Sequence, residues 1–490
     1  MNSMDKKHLR EVLIDQKEAF ENQSGLIERD LPLDGYLKTR QVVVISGVRR
    51  CGKSSLMFLI KEALNLGESE YCYCNFDDER ITYYPTLLND IYAIHLEMYR
   101  EEPTFFFDEI QEIPGWEKFV NRMYEQGKKL FVTGSNATLL SSEISTSLTG
   151  RNKVLKLFPF SFSEYLRLQK RAYDIQRLSV KQRSLLMNDL DTYLTMGGFP
   201  LVLKENDPEI AHSLFQDILY RDIVARYNLS NVEEIKRIGI YLLSNIGKIF
   251  SYATLQSISG VKSLSSVKNY LHYYESSYLL YYLRKFDYSV KKQVMNSRKA
   301  YVVDNTIARR LGFRFSEDKS RLLENAVFVE LRRRGKEVYY FSGRNECDFL
   351  VKENLDITEA IQVTAELNTR NFDRKMGGLT EAMQKFNIPK GTLIVLQESV
   401  LTKRQTDNRG KIIRNPIGLQ ESMLPVQPVS QDNTCLPWNR LQESMSPVQQ
   451  QINRNKKVQP PTGLQGSTPR MQLPKGVAVI PAYKWLLGEA

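Results

Sequence analysis

Eight consecutive residues, Gly47-Val48-Arg49-Arg50-Cys51-Gly52-Lys53-Ser54, place two glycines, a lysine and a hydroxyl at the spacing that wraps a polyphosphate. The glycines let successive backbone N–H groups turn inward around phosphate oxygens, and the helix that follows adds the positive end of its dipole. In that frame Lys53 reaches the outer phosphates and Ser54 sets its hydroxyl on Mg²⁺, with Gly47, Arg50, Cys51, Gly52, Lys53, Ser54 and Ser55 forming the phosphate-contacting set. A second run, Thr104-Phe105-Phe106-Phe107-Asp108-Glu109, is an apolar strand ending in two acids. Asp108 is placed to hold Mg²⁺ through water, and Glu109 to polarise an attacking water. A third run ends Thr133-Gly134-Ser135-Asn136, where Ser135 or Asn136 is eligible to sense the terminal phosphate; a plain turn accounts for the same residues.

These groups need strands to carry them. Residues 41–157 alternate short β-rich runs (41–47, 71–76, 104–110, 129–134 and 153–158) with helical stretches near 53–66, 85–100, 115–127 and 137–147. Alternation of this kind predicts a parallel sheet covered on both faces. From 161 to 230 the pattern is helical. Residues 232–304 read as three helices and two strands in the manner of a winged helix, with Ser265 expected as the N-cap of the third helix. Residues 320–397 return to mixed α/β.

The motifs GVRRCGKSSL (47–56), FFFDEIQ (105–111), VTGSNA (132–137), LTGR (148–151), PFSFSEYL (159–166) and YLTMGGFP (193–200) together resemble the AAA superfamily. With RDIVARY (221–227), LENAVFVELRRRG (323–335) and ECDFLV (346–351), the resemblance is to prokaryotic predicted ATPases that join an AAA core to a C-terminal domain of unknown function. It implies an α/β P-loop NTPase sheet (AAA-type) over 1–160, a helical lid over 161–230 and a winged-helix-like domain over 231–305. A C-terminal α/β domain similar to restriction endonucleases would follow over 306–397 plus 476–490. The resemblance also implies ATP with Mg²⁺ as cofactors and hydrolysis coupled to a conformational change, with Glu109, Lys53, Asn136 and Arg151 as catalytic residues and Ser54 and Asp108 at the metal. Arg151 would sense the γ-phosphate from its own or a neighbouring subunit, and Arg221 or Arg226 from the lid. Partners implied are ATP, further copies of the chain, and a DNA or protein client. A slow nucleotide-dependent signalling or defence switch, or a DNA-processing protein, are the alternative readings.

In the nuclease-like unit Glu324 and Asp348 would be the acids, yet the following strand reads Gln362-Val363-Thr364 where a working nuclease carries an acid and a lysine. Both functional groups are missing, so cleavage is not expected, although a lysine such as Lys375 could substitute from a helix. The triplet Arg332-Arg333-Arg334 is expected to leave a basic helix surface.

Bulk properties restrict the alternatives. The five cysteines and four histidines are scattered, which disfavours a disulfide framework or a histidine metal centre and fits a reducing, cytoplasmic setting. No uncharged apolar run approaches the ~20 residues a membrane span needs. Of the net charge of +11, residues 401–475 alone contribute +7, so the basicity is poor evidence for a nucleic-acid-binding core.

Segment 398–475 carries nine of the eighteen prolines and an imperfect repeat (LQESV, LQESM, LQESM, LQGST), the composition of a disordered insertion. The residues after it, GVAVIPAYKWLL, read as a strand and helix that rejoin the body. Because loop closure grows only logarithmically with length, replacing 398–475 with a short Gly/Ser turn should leave the melting temperature nearly unchanged by calorimetry. A large drop would show that the segment packs on the body.

Overall fold

The computed structural model describes residues 5–135, 150–312, 318–368, 370–396 and 473–489. Residues 398–472 of the insertion, the expected helix at 137–147 and Asn136 lie outside them. The described residues belong to one unit, residues 1–400 with 473–490.

Five strands form the first sheet: β1 (Val42–Ser46), β2 (Tyr71–Asn75), β3 (Thr104–Asp108), β4 (Leu130–Gly134) and β5 (Asn152–Lys156), in the order β2-β3-β4-β1-β5. All neighbouring pairs are parallel. β1 (VVVIS) is buried along its whole length, as a strand with both faces covered must be. Alternate side chains serve two layers: Val42, Val44, Phe105 and Phe107 pack on one face, and Val43, Ile45, Phe106 and Phe131 on the other. The N-terminal helix Lys6–Glu21, which carries no motif, covers β2 with Phe20 stacked on Tyr73 at a 4.1 Å ring separation.

Beyond β5 come the helices Phe162–Leu168, Val180–Met196, Pro200–Glu205 and Ile210–Asp217, and the last runs into a π-helical segment, Ile218–Ala225. Helices Val232–Leu243, Tyr252–Ser259 and Leu264–Ser276 then pack with an antiparallel sheet of β6 (Ile249–Phe250), β7 (Leu280–Arg284) and β8 (Arg298–Val302), ordered β6-β8-β7. The third helix begins earlier than expected. Its N-cap is Ser263, whose hydroxyl accepts from the Ser266 N–H, while Ser265 lies inside the first turn.

The last sheet contains β9 (Glu337–Ser342), β10 (Glu346–Glu353), β11 (Asp356–Thr364), β12 (Gly391–Val395) and β13 (Val477–Pro481). Their spatial order is β13-β12-β11-β10-β9, so the strand after the insertion pairs in parallel with β12, as its sequence suggested. Helices Lys319–Arg333 and Phe372–Lys385 pack on it. One hydrophobic core runs from Phe20 through Phe160, Leu190 and Tyr301 to Trp485, joining the first sheet to the last.

Gly197-Gly198 marks the tightest junction in that core. The Phe160 N–H donates to Gly198 O at 2.7 Å, and the Gly198 N–H donates to Asp304 Oδ2 at 2.6 Å. A Cβ at Gly198 would lie 2.2 Å from Phe160 O, a backbone atom that cannot swing aside. Gly198→Ala should therefore destabilise the fold by about 1–3 kcal/mol, the usual overpacking range, measured from the urea midpoint. An unchanged midpoint would mean that the Phe160 segment can yield.

Candidate functional site

Parallel register sets β1, β3 and β4 level, with Ser46 opposite Gly134 and Phe107 opposite Val132. Their carboxyl ends therefore release the glycine loop, Asp108-Glu109 and Ser135 at one edge of the sheet. The loop crosses from Ser46 into helix Lys53–Ala63 with Gly52 at φ 98°, a left-handed conformation that glycine adopts without strain. At Gly47 a Cβ would lie 2.2 Å from Leu157 O, so only glycine allows that approach. Cys51 is fully buried, its Sγ 3.6 Å from Leu157 O, and burial pushes its thiol pKa up; it packs the loop against the body.

Arg29, which the motif reading did not single out, clamps the loop from behind. It donates to Cys51 O at 3.2 Å and Phe158 O at 2.6 Å, and pairs with buried Glu164 at 2.9 Å. Breaking one partner of such a buried pair costs about 3–5 kcal/mol.

The side chains of the two acidic-strand residues and the loop converge. Lys53 Nζ donates to the carbonyls of Gly47 and Val48 at 3.3 and 3.4 Å and lies 3.3 Å from Glu109 Oε1. Burial disfavours the ammonium, but the Glu109 charge overrides it and raises the Lys53 pKa. Burial alone would raise Glu109; the Lys53 charge instead holds that carboxyl below its usual range. Asp108 is shifted the other way, up, by burial and then by the charge of Glu109, while hydrogen bonds from Ser54 and Thr133 oppose the rise. Ser54 and Asp108 thus already touch, where the sequence placed the metal ligands.

Thr133 is the polar group that the structure adds. Its Oγ1 donates to Asp108 Oδ1 and accepts from the Glu109 N–H at 2.9 Å, tying both acids to β4. Ser135 is buried at the strand end, and Asn136 lies outside the described residues. Glu109 itself sits at φ 51° and Arg50 at φ 62°, left-handed conformations that cost a non-glycine residue about 1–3 kcal/mol.

Arg151 is not brought to this edge. It precedes β5, and its carbonyl accepts from the Val42 N–H at the opposite, amino end of β1. There its guanidinium pairs with Glu125 at 2.9 Å and with Asn121. Within one chain it cannot reach the glycine loop.

A cleft of about 440 Å³ opens over the loop, lined by Lys53, Ser54, Asp108 and Glu109 and, from the other side, by Lys204 and Arg221 of the helical segment. A smaller apolar pocket adjoins it, sharing Gly52, Ser55, Pro200 and Lys204 and walled by Leu26, Ile27, Leu56 and Phe160. Charged, glycine-lined space beside an apolar slot suits a ligand with a polyphosphate and a flat base. Among the described residues no helix is long and apolar enough to cross a membrane.

The C-terminal acids also meet, though around a lysine. Lys299 Nζ, on β8 and buried, lies 2.7 Å from Glu346, 3.4 Å from Glu324 and 3.7 Å from Asp348. Asp348 further accepts from Lys375 at 3.0 Å, from the Gln362 amide at 2.6 Å and from the Val363 N–H at 2.9 Å. Cationic side chains of the protein itself thus neutralise these carboxylates. The expected basic surface is also reduced: Arg333 pairs with Glu330 and bonds Pro159 O, and Arg334 pairs with Glu330 and bonds Trp485 O.

Comparison with known proteins agrees with the first sheet. A family described as AAA domain matches residues 39–166, and a domain of unknown function (DUF8612) matches residues 187–318. The uncharacterized protein MJ1544 of Methanocaldococcus jannaschii is 35% identical over 80% of this chain and 90% of its own length. An uncharacterized protein of Haemophilus influenzae is 30% identical over 69% of this chain and 86% of its own. Among solved structures, the Thermotoga maritima RuvB Holliday junction branch migration motor aligns with 56% of this chain and 87% of its own, at 17% identity and a TM-score of 0.25.

Thr133→Val keeps the shape of the side chain but leaves buried Asp108 and the Glu109 N–H each short of a partner. Unsatisfied buried groups cost about 1–3 kcal/mol. If nucleotide hydrolysis is assayed, turnover should fall roughly tenfold or more with a smaller change in nucleotide affinity, since Lys53 and the loop are untouched. Wild-type turnover in Thr133→Val would show that the two acids do not depend on this hydroxyl.

Proposed function

Since the chain belongs to the family of the uncharacterized Methanocaldococcus jannaschii protein and carries an AAA domain over residues 39–166, we propose that it is an ATPase whose hydrolysis drives a conformational change. The observation that carries this reading is the meeting of Lys53, Ser54, Asp108, Glu109 and Thr133 at the mouth of one glycine loop. The polyphosphate would lie along the loop's N–H groups with Lys53 on its outer phosphates, and the base would enter the apolar slot beside Phe160 and Pro200. Ser54 and Asp108 fit Mg²⁺, a hard cation that takes oxygen ligands, and when bound the ion supplies neutralisation of phosphate charge. Glu109, held ionised by Lys53, gains freedom to orient water once Lys53 turns to the phosphates.

A homo-oligomer is the arrangement in which Arg151 could serve a neighbouring copy, because its own loop is at the far end of β1. Association with DNA draws support from Lys262, Lys268, Asn269 and His272, which stand exposed on and beside the helix Leu264–Ser276. The C-terminal acids, neutralised by Lys299 and Lys375, favour a packing or docking role for that sheet over strand cleavage.

Lys53→Ala should abolish or greatly weaken ATP binding in equilibrium titration. Glu109→Gln should preserve binding but slow steady-state hydrolysis by about a hundredfold, in the range ascribed to a lost general base. Adding single-stranded and duplex DNA to the same assay tests the client. Equal hydrolysis by the wild type and Glu109→Gln would refute the role given to Glu109, and no hydrolysis by the wild type would refute the ATPase assignment.

A further inference from the structure

The segment Ile218–Ala225 is a π-helix, whose N–H groups bond five residues back. Residues five apart therefore share a face. On an α-helix of 3.6 residues per turn the same pair would diverge by roughly 140°.

Two pairs of charged residues use that spacing. Asp217 and Asp222 receive the two consecutive arginines of the glycine loop: Arg50 donates to Asp217 Oδ2 at 2.9 Å. Arg49 makes a bidentate contact with Asp222, at 2.8, 3.1 and 3.3 Å. Arg221 and Arg226 repeat the spacing with opposite sign, facing Asp77 at 3.5 Å and Glu112 at 3.8 Å, acids that follow β2 and β3. Asp77 also lies 3.7 Å from Arg49, so the charges form a chain across the mouth of the cleft. Asp222 is buried, with 4% of its side chain exposed, and Arg49 is the cation on it.

Arg49, Arg50 and Arg221 all line the phosphate cleft. A guanidinium fork fits a carboxylate or a phosphate equally well in geometry, and a terminal phosphate carries more charge. A buried carboxylate that loses its guanidinium is destabilised, so the element bearing it must move to reach water or another partner. We propose that this π-helix is a nucleotide-responsive clasp in which Asp222 and the terminal phosphate of ATP compete for the guanidinium of Arg49. Asp222 is then a positioning residue: it holds the lid on the loop and is released when triphosphate draws Arg49 away. The inference rests on the ATP-binding reading above and adds to it the route by which the lid senses which nucleotide is bound.

Linkage makes the coupling reciprocal: if ATP weakens the clasp, weakening the clasp tightens ATP. The test uses the full chain and two fluorescent probes, a non-hydrolysable ATP analogue and the matching ADP analogue. Asp222→Asn removes the charge and keeps the shape; it should bind the ATP probe about fivefold tighter or more, with ADP changed less than about twofold. Asp222→Glu should restore the wild-type ratio, which a merely structural role would not require. Because Asp222→Asn could unfold the lid, hydrogen exchange on the wild type supplies a second readout, with protection over 218–225 falling when the ATP probe is added and falling less with ADP. An ATP-to-ADP preference identical in wild type and Asp222→Asn, or exchange over 218–225 unmoved by the ATP probe that still binds, would overturn the clasp. Binding of neither probe by wild type, or equal binding by wild type and Lys53→Ala, would instead remove the ATPase reading on which the clasp rests.

Discussion

The parallel register of β1, β3 and β4 is the constraint on which the rest of this protein depends. Three separate stretches of chain supply the glycine loop, the acid pair and Thr133, and none of them touches another along the sequence. Only when the strands lie level do their carboxyl ends bring Lys53 to Glu109 and Thr133 to Asp108. The two packed faces of the sheet hold that register, because a one-residue slip of β3 would exchange Phe106 with Phe105 and Phe107 between opposite cores.

Around this edge the structure accepts local cost. Arg50 and Glu109 are held in left-handed backbone conformations, and buried Lys53 and Asp108 crowd against half-buried Glu109. Buried Arg29 and its partner Glu164 hold the loop in place from beneath. The strain and the charge crowding thus fall on the residues proposed to act on phosphate, where a ligand that separates Lys53 from Glu109 would change the balance most.

The C-terminal sheet shows the same chemistry resolved differently. Its carboxylates also gather, but Lys299 from β8 and Lys375 from the helix Phe372–Lys385 neutralise them within the chain. The cluster therefore ties the three-stranded sheet to the five-stranded one and consumes its own charge. Arg333 is similarly turned inward against Pro159, and Arg334, though exposed, spends its guanidinium on Glu330 and on Trp485 O of the terminal helix.

The strands, the glycine loop, the acid pair and the strand that rejoins after residue 475 were legible in the sequence, since each is a local pattern: an apolar run, a fixed spacing, a change of composition. What escaped was set by partners distant along the chain. Thr133 was one of three polar residues in the run 133–136 until β4 aligned with β3. Arg29 and Lys299 carried no motif, because their meaning lies in Glu164 and in the C-terminal acids more than twenty residues away. Arg151 matched a family pattern, yet the direction of β5 sends it to the amino end of β1, away from the glycine loop of its own chain. The ion pairs of Asp217 and Asp222 could not be read from a helical period of 3.6, because the π-turn that puts them on one face is a tertiary outcome. Periodicity is a property of the local chain, whereas the pairing of buried charges is decided only when packing excludes water and leaves each ion one partner to find.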